Sequence, residues 1–130
     1  MAIKYKERTR HILVRWICPE IIESRALWNE ITKRITRLFG EKTSAQIGLH
    51  LVLFDPKGEY ALLRCSHKNI IHLRASIAAV HEITGKNNER YPILMYVECI
   101  FGTIQRAKRY LSESIPILIN TASDDEKNLR

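Results

Sequence analysis

Residues 62–80, LLRCSHKNIIHLRASIAAV, hold a strand, a corner and a helix in direct succession. An apolar run of strand length, residues 60–65, ends at Arg64-Cys65, and a short polar corner follows at Ser66-His67. From about Lys68 onward, Ile70, Leu73, Ile77 and Val80 recur at three- and four-residue spacing and line one helix face. Ala75, Ala78 and Ala79 would let that face pack closely, Ser66 is placed to cap the helix, and Gly85 to stop it. A strand that turns straight into a helix needs a sheet to join, and the rest of the chain supplies one.

Residues 10–18 alternate: Ile12, Val14, Trp16 and Cys18 point one way, and His11, Leu13, Arg15 and Ile17 the other. Pro19 suits the first turn of a helix, where its missing N–H would go unpaired anyway. Glu20 and Glu23 suit the positive end of that helix. The helix is expected to run to Phe39, with Ile21, Trp28, Ile31, Ile35 and Leu38 as its apolar stripe and Gly40 as its stop. Its outer face carries Arg25, Lys33, Arg34 and Arg37, with Glu30 four residues before Arg34. Residues 44–54 read as a long strand, with Ile47, Leu49, Leu51 and Leu53 on one face and Gln46, His50 and Phe54 on the other. Asp55-Pro56-Lys57-Gly58 is a turn, so residues 59–65 return as a hairpin partner. The central helix is expected to reach Thr84, and residues 86–90 to form a polar loop. Residues 93–100 read as the fourth strand, with Ile93, Met95, Val97 and Cys99 on one face and Leu94, Tyr96, Glu98 and Ile100 on the other. Thr103 can cap a last helix through Leu111.

The order βαββαβα predicts an α+β fold: a ferredoxin-like or RNA-recognition-like sandwich with a four-stranded antiparallel sheet. Residues 1–112 form one domain with a basic N-terminal arm, and residues 113–130 a docking segment and tail. One sheet face then shows Leu13, Arg15, Ile17, His50, Leu62, Arg64, Leu94 and Tyr96. Such a half-apolar surface could bind RNA, bind a protein, or be covered by the last helix and tail; its few aromatics put cover or protein contact ahead of RNA. RNA-recognition domains place stacking aromatics on their central strands, where Glu59 and Ala61 stand here, so the sheet is not expected to read single-stranded RNA in that way.

Net charge is +7, which favours polyanions. The cations fall on the arm (Lys4, Lys6, Arg8, Arg10), near the start of the central helix (Lys68), and on the last helix (Arg106, Lys108, Arg109). A helix start presents free N–H groups to phosphate, so Gly102-Thr103 with Arg106 is a sensible phosphate clamp. Cys18, Cys65 and Cys99 are expected to be buried free thiols of a reducing cytosol. Cys65, His67 and His72 are the conceivable metal ligands, yet lack the paired short spacing of a zinc site. No nucleophile, metalloprotease or phosphate-loop motif is present. No apolar run approaches the roughly 20 residues of a membrane span, and no membrane partner is expected.

Arg64-Cys65-Ser66-His67-Lys68, Leu73-Arg74-Ala75-Ser76, and Gly102-Thr103-Ile104 followed by Arg106, Lys108 and Arg109 resemble the archaeal ribonuclease P protein component 2 family, relatives of the eukaryotic Pop-five subunit. Phe101 stands where that family usually has serine. The resemblance implies a non-catalytic, cytoplasmic subunit that braces the ribonuclease P RNA and pairs with other protein subunits. It implies no cofactor bound by the protein, with Mg2+ in the RNA active site, and only indirect contact with precursor tRNA. The RNA-facing set would be Lys6, Arg8, Arg10, Lys68, Arg74, Gly102, Thr103, Arg106, Lys108 and Arg109. The partner face would be Leu13, Arg15, Ile17, Leu62, Leu94 and Tyr96. A ribosomal-type RNA-binding protein and a ferredoxin-like regulatory module are the rival readings.

Overall fold

The computed structural model describes residues 8–114. In chain order it contains β1 (Thr9–Ile17), α1 (Ser24–Phe39), α2 (Glu41–Gln46), β2 (His50–Asp55), β3 (Tyr60–Ser66), α3 (Ile70–Ala79), β4 (Glu82–Thr84), β5 (Arg90–Pro92), β6 (Leu94–Phe101) and α4 (Ile104–Ser114). Strands β2-β3-β1-β6 form one antiparallel sheet in that order, and β4-β5 a separate two-stranded ribbon. The expected ferredoxin-like sandwich is therefore present, with α2 and the ribbon inserted.

Both faces of the sheet are covered. On one side Ile12, Val14, Trp16, Ala61 and Leu63 pack against Leu27, Ile31 and Ile35 of α1 and Leu73 and Ile77 of α3. On the other, Leu13, Tyr60 and Leu62 pack against Ala107 and Leu111 of α4. The central strand β1 is buried from both sides, which is why Ile12-Leu13-Val14 reads as an unbroken apolar run.

Two bulges reset the side-chain alternation. Leu13 pairs with Cys99 but Val14 with Val97, so Glu98 is an extra residue in β6. Cys99 then turns to the α4 side and Ile100 to the main core, the reverse of strict alternation. Between Leu51 and Leu53 the same thing happens at Val52. Phe54 thereby reaches the main core, where it stacks on Trp16 at 5.6 Å, and Leu53 is left 37% exposed.

Several boundaries differ from those expected. Helix α1 begins at Ser24, not at Pro19; Glu23 is extended and its carbonyl accepts the Leu27 N–H at 3.1 Å. Ile22 enters the core from the preceding loop, which leaves Ile21 exposed. The inner row of α1 is Leu27, Ile31 and Ile35, while Leu38 is exposed and Trp28 lies outside both apolar clusters. Residues 44–47 are not strand: Gly40, at φ +90, ends α1 and opens α2, and Gly48, at φ +61, turns the chain into β2. Ile47 is buried beside that turn.

Helix α3 follows a single 3-10 turn, His67–Asn69, with Ser66 at its N-cap position, and stops at Ala79. Its inner face carries Leu73, Ile77 and Val80 as expected, but Ala75 and Ala78 are exposed. Val80 is already extended, and residues 82–84 pair with residues 90–92. Gly85 is thus a hairpin residue: its N–H donates to Glu89 O at 2.7 Å, and a Cβ there would run into the Tyr91 ring. Arg90 fastens the ribbon to α1 by donating to Glu30 at 2.8 Å, and to Thr84 at 2.6 Å. Helix α4 continues to Ser114; the apolar docking segment and tail expected beyond it, and Lys4 and Lys6 of the arm, lie outside the described residues.

Candidate nucleic-acid interface

One row of residues crosses the sheet: His50 opposite Arg64, Arg64 opposite His11, and His11 opposite Phe101. Strands β1 and β2 begin at this end, and β3 and β6 finish there. The chain leaves β3 into the start of α3, and β6 into the start of α4. Antiparallel pairing therefore brings the base of the N-terminal arm and two helix starts to a single edge. The Arg8 carbonyl accepts the His67 N–H at 2.8 Å, which ties the arm to the corner before Lys68.

Arg8, Lys68, Arg106, Lys108 and Arg109 are exposed at or near this end, and Arg10 is half-buried, donating to Thr9 O at 3.0 Å. None of the six forms an ion pair among the described residues. Arg74 lies six residues along α3 from Lys68, beside the 71%-exposed Ile71. With His67, Lys68, Ile70 and Ala75 they line a shallow hollow of about 680 Å³. Ile71 is off the Ile70–Leu73–Ile77 stripe, so its exposure could have been read from spacing alone.

The start of α4 is capped as expected. The Thr103 hydroxyl accepts the Arg106 N–H at 3.2 Å, and the Thr103 carbonyl accepts that of Ala107 at 3.3 Å. The hydroxyl is thus committed to the cap, and the earlier N–H groups of the turn are what a phosphate could meet. Among the described residues no atom lies within 4 Å of a Cβ built on Gly102, so their packing does not demand glycine there.

His11 is 7% exposed, and its Nδ1 has no hydrogen-bond partner among the described residues. Burial, and then the neighbouring Arg64 guanidinium, push its pKa below 6.5. The folded chain therefore protonates His11 at lower pH than the unfolded chain, which takes up a proton near 6.5. Stability contributed by neutral His11 is present above that pH and is lost on acidification. Urea unfolding at pH 7.5 and pH 5.5 is expected to show this loss, and a His11→Gln variant to show less of it.

The expected partner face needs correction. Leu13 and Leu62 are both 0% exposed beneath α4 and present nothing to a partner. Arg15 is half-buried, 3.5 Å from Glu98, which also accepts the Tyr110 hydroxyl at 3.0 Å. Ile17, Leu94 and Tyr96 remain 62%, 61% and 40% exposed. Ile17 pairs with Leu94, and Tyr96, opposite Arg15, follows two residues along β6, so the three form an apolar strip at the end of the sheet opposite the helix starts.

The positions of the missing stacking aromatics are taken. Ala61 is buried towards α1 and α3. Glu59, at φ +55, accepts the Cys18 N–H on its carboxylate at 3.1 Å. Cys65 is fully buried and its thiol is pushed up to about 11 by burial, while Cys18 and Cys99 are only half-buried. His72 packs edge-on against Phe39 and bonds with Asn69, so Cys65, His67 and His72 do not gather into a metal site. Among the described residues no group of three His, Cys, Asp or Glu side chains is placed to hold a metal, and no helix is long and apolar enough to cross a membrane.

Fold and site together define a ferredoxin-like domain, closed on both sheet faces, with one set of exposed cations at the end where two helices begin. The chain belongs to the Rpp14/Pop5 family, whose model matches residues 10–112. It is similar to ribonuclease P protein component 2 of Methanocaldococcus jannaschii, at 25% identity over 103 residues, covering 79% of this chain and 72% of that protein. A chain in the cryo-EM structure of yeast ribonuclease MRP shares the fold, with a TM-score of 0.61 at 10% identity, covering 96% of this chain and 98% of that one.

Proposed function

We propose that this chain is a protein subunit of ribonuclease P that supports the RNA in removing 5′ leaders from precursor tRNA. Membership of the Rpp14/Pop5 family is the observation that carries the reading. The site supports it: unpaired cations and two helix starts converge on one edge, as a phosphate-binding surface requires. The RNA performs the chemistry with its own Mg2+, and this chain has no active site and holds no cofactor.

Arg8, Arg10, Lys68, Arg74, Gly102, Thr103, Arg106, Lys108 and Arg109 face the ribonuclease P RNA, neutralising backbone charge where strands approach each other. Lys6 belongs to the same set on the arm. Ile17, Leu94 and Tyr96 receive another protein subunit, so RNA and protein occupy opposite ends of the sheet. Precursor tRNA is met only through the RNA, and the assembly works in the cytoplasm.

Reconstitution tests the reading. The cognate ribonuclease P RNA and remaining subunits are assayed for 5′ cleavage of a precursor tRNA with and without this chain. Cleavage at low magnesium is expected to depend on the chain. Cleavage that is indifferent to it, with no binding to that RNA, would move a ribosomal or regulatory role to the front.

A further inference from the structure

Helix α1 carries two parallel rows. Leu27, Ile31 and Ile35 point inward and are buried. Arg25, Asn29, Lys33 and Arg37 are offset from them by two residues, lie on the opposite side, and are all exposed. At about 1.5 Å of rise per residue, neighbours in the outer row stand about 6 Å apart along the axis. Arg25, Lys33 and Arg37 form no ion pair among the described residues. The acid of this helix, Glu30, is buried and held by Arg90 at 2.8 Å, so it does not offset them.

Trp28 stands between the two rows, next to Arg25 and Asn29. It is half-buried, yet it belongs to neither apolar cluster. With Arg25, Asn29 and His50 it lines an open hollow of about 610 Å³ between α1 and the start of β2. An indole kept out of the core, in one hollow with Arg25 at the start of the basic row, is a stacking platform at the end of an electrostatic track.

We propose that this face of α1 is a second RNA contact, which takes an unpaired nucleotide: its base stacks on the Trp28 indole, and the phosphates of the same strand follow Arg25, Lys33 and Arg37. The inference rests on the reading of the chain as an RNA-associated subunit, but uses a surface separate from the helix starts. The sheet cannot serve as the platform here, because α4 covers it.

The probe is a labelled single-stranded oligouridylate, titrated with the full chain at low salt by fluorescence anisotropy and tryptophan emission. Trp28→Ala is expected to weaken binding about tenfold, and Trp28→Phe, which keeps a ring, to bind nearly as well as the natural chain. Emission is quenched on binding in the natural chain but not in Trp28→Phe, where only the buried Trp16 remains. Changing Arg25, Lys33 and Arg37 together to Gln lowers the salt slope by about 2. Circular dichroism checks folding, and should Trp28→Ala fail it, Trp28→Phe and the glutamine triple carry the test. Unchanged affinity and slope in these α1 variants, with loss on replacing Arg106, Lys108 and Arg109, would overturn this inference and leave the proposed function standing. So would binding to ribonuclease P RNA without binding to oligouridylate. Variants that keep RNA but no longer join the other protein subunits would assign the face to a protein and overturn it equally.

Discussion

Replacing Arg106, Lys108 and Arg109 together by alanine is expected to weaken binding to ribonuclease P RNA by about 100-fold at low salt, and to lower the log–log salt slope by about 2. Each cation that neutralises a phosphate releases a counterion, so losing three should flatten the dependence as well as the affinity. All three side chains are exposed, and α4 is held by Ala107 and Leu111, so the fold should survive. Filter binding across a salt series, with unfolding curves as a control, reads both quantities. A folded triple variant with the natural slope would remove these residues from the RNA interface.

Leu62→Ala is expected to destabilise the domain by about 3 kcal/mol in urea unfolding, because it empties space between the sheet and α4. Leu62 is 0% exposed and packs in one cluster with Leu13, Ala107 and Leu111. The matched control is Leu94→Ala, on the exposed strip, which should cost no more than about 0.5 kcal/mol. An equally small cost at Leu62 would mean that α4 is a loose cover. The Leu62 face would then be available to a partner, as the strand pattern suggests when α4 is left out.

How much could be read ahead of the structure depended on how local the cause was. The hairpin turn at Asp55–Gly58 and the Thr103 cap are decided by residues within a turn of each other, and both formed as expected: Gly58 N–H donates to Asp55 Oδ1 at 2.9 Å, and Arg106 N–H to Thr103. The α3 stripe was equally legible. The β4-β5 ribbon was not, because residues 82–84 continue the apolar pattern of α3. What takes them out of the helix is pairing with residues 90–92, pinned by Arg90 to the distant Glu30.

The bulges show the same limit within single strands. A period of two, once assumed, carries every side chain to a fixed face, and one extra residue reverses all that follow. Nothing adjacent to Glu98 marks it as that residue; its place is set by pairing with β1 and by contacts to Arg15 and Tyr110. For the site, the charge and the separate basic positions were evident, but not their meeting at one edge. Spacing puts Trp28 on the inner stripe of α1, and only packing in the core selects Leu27 instead.

By itself, then, the order of alternating and helical periods determined a βαββαβα sandwich, and the residue types determined a basic surface with capped helix starts. Those are properties of neighbouring residues. The tertiary structure decided that both sheet faces are covered, which leucines are core, and which cations become neighbours. Each of these depends on contacts between residues far apart in the chain: α4 lies on Leu13 and Leu62, and antiparallel pairing sets the end of β6 beside the start of β1.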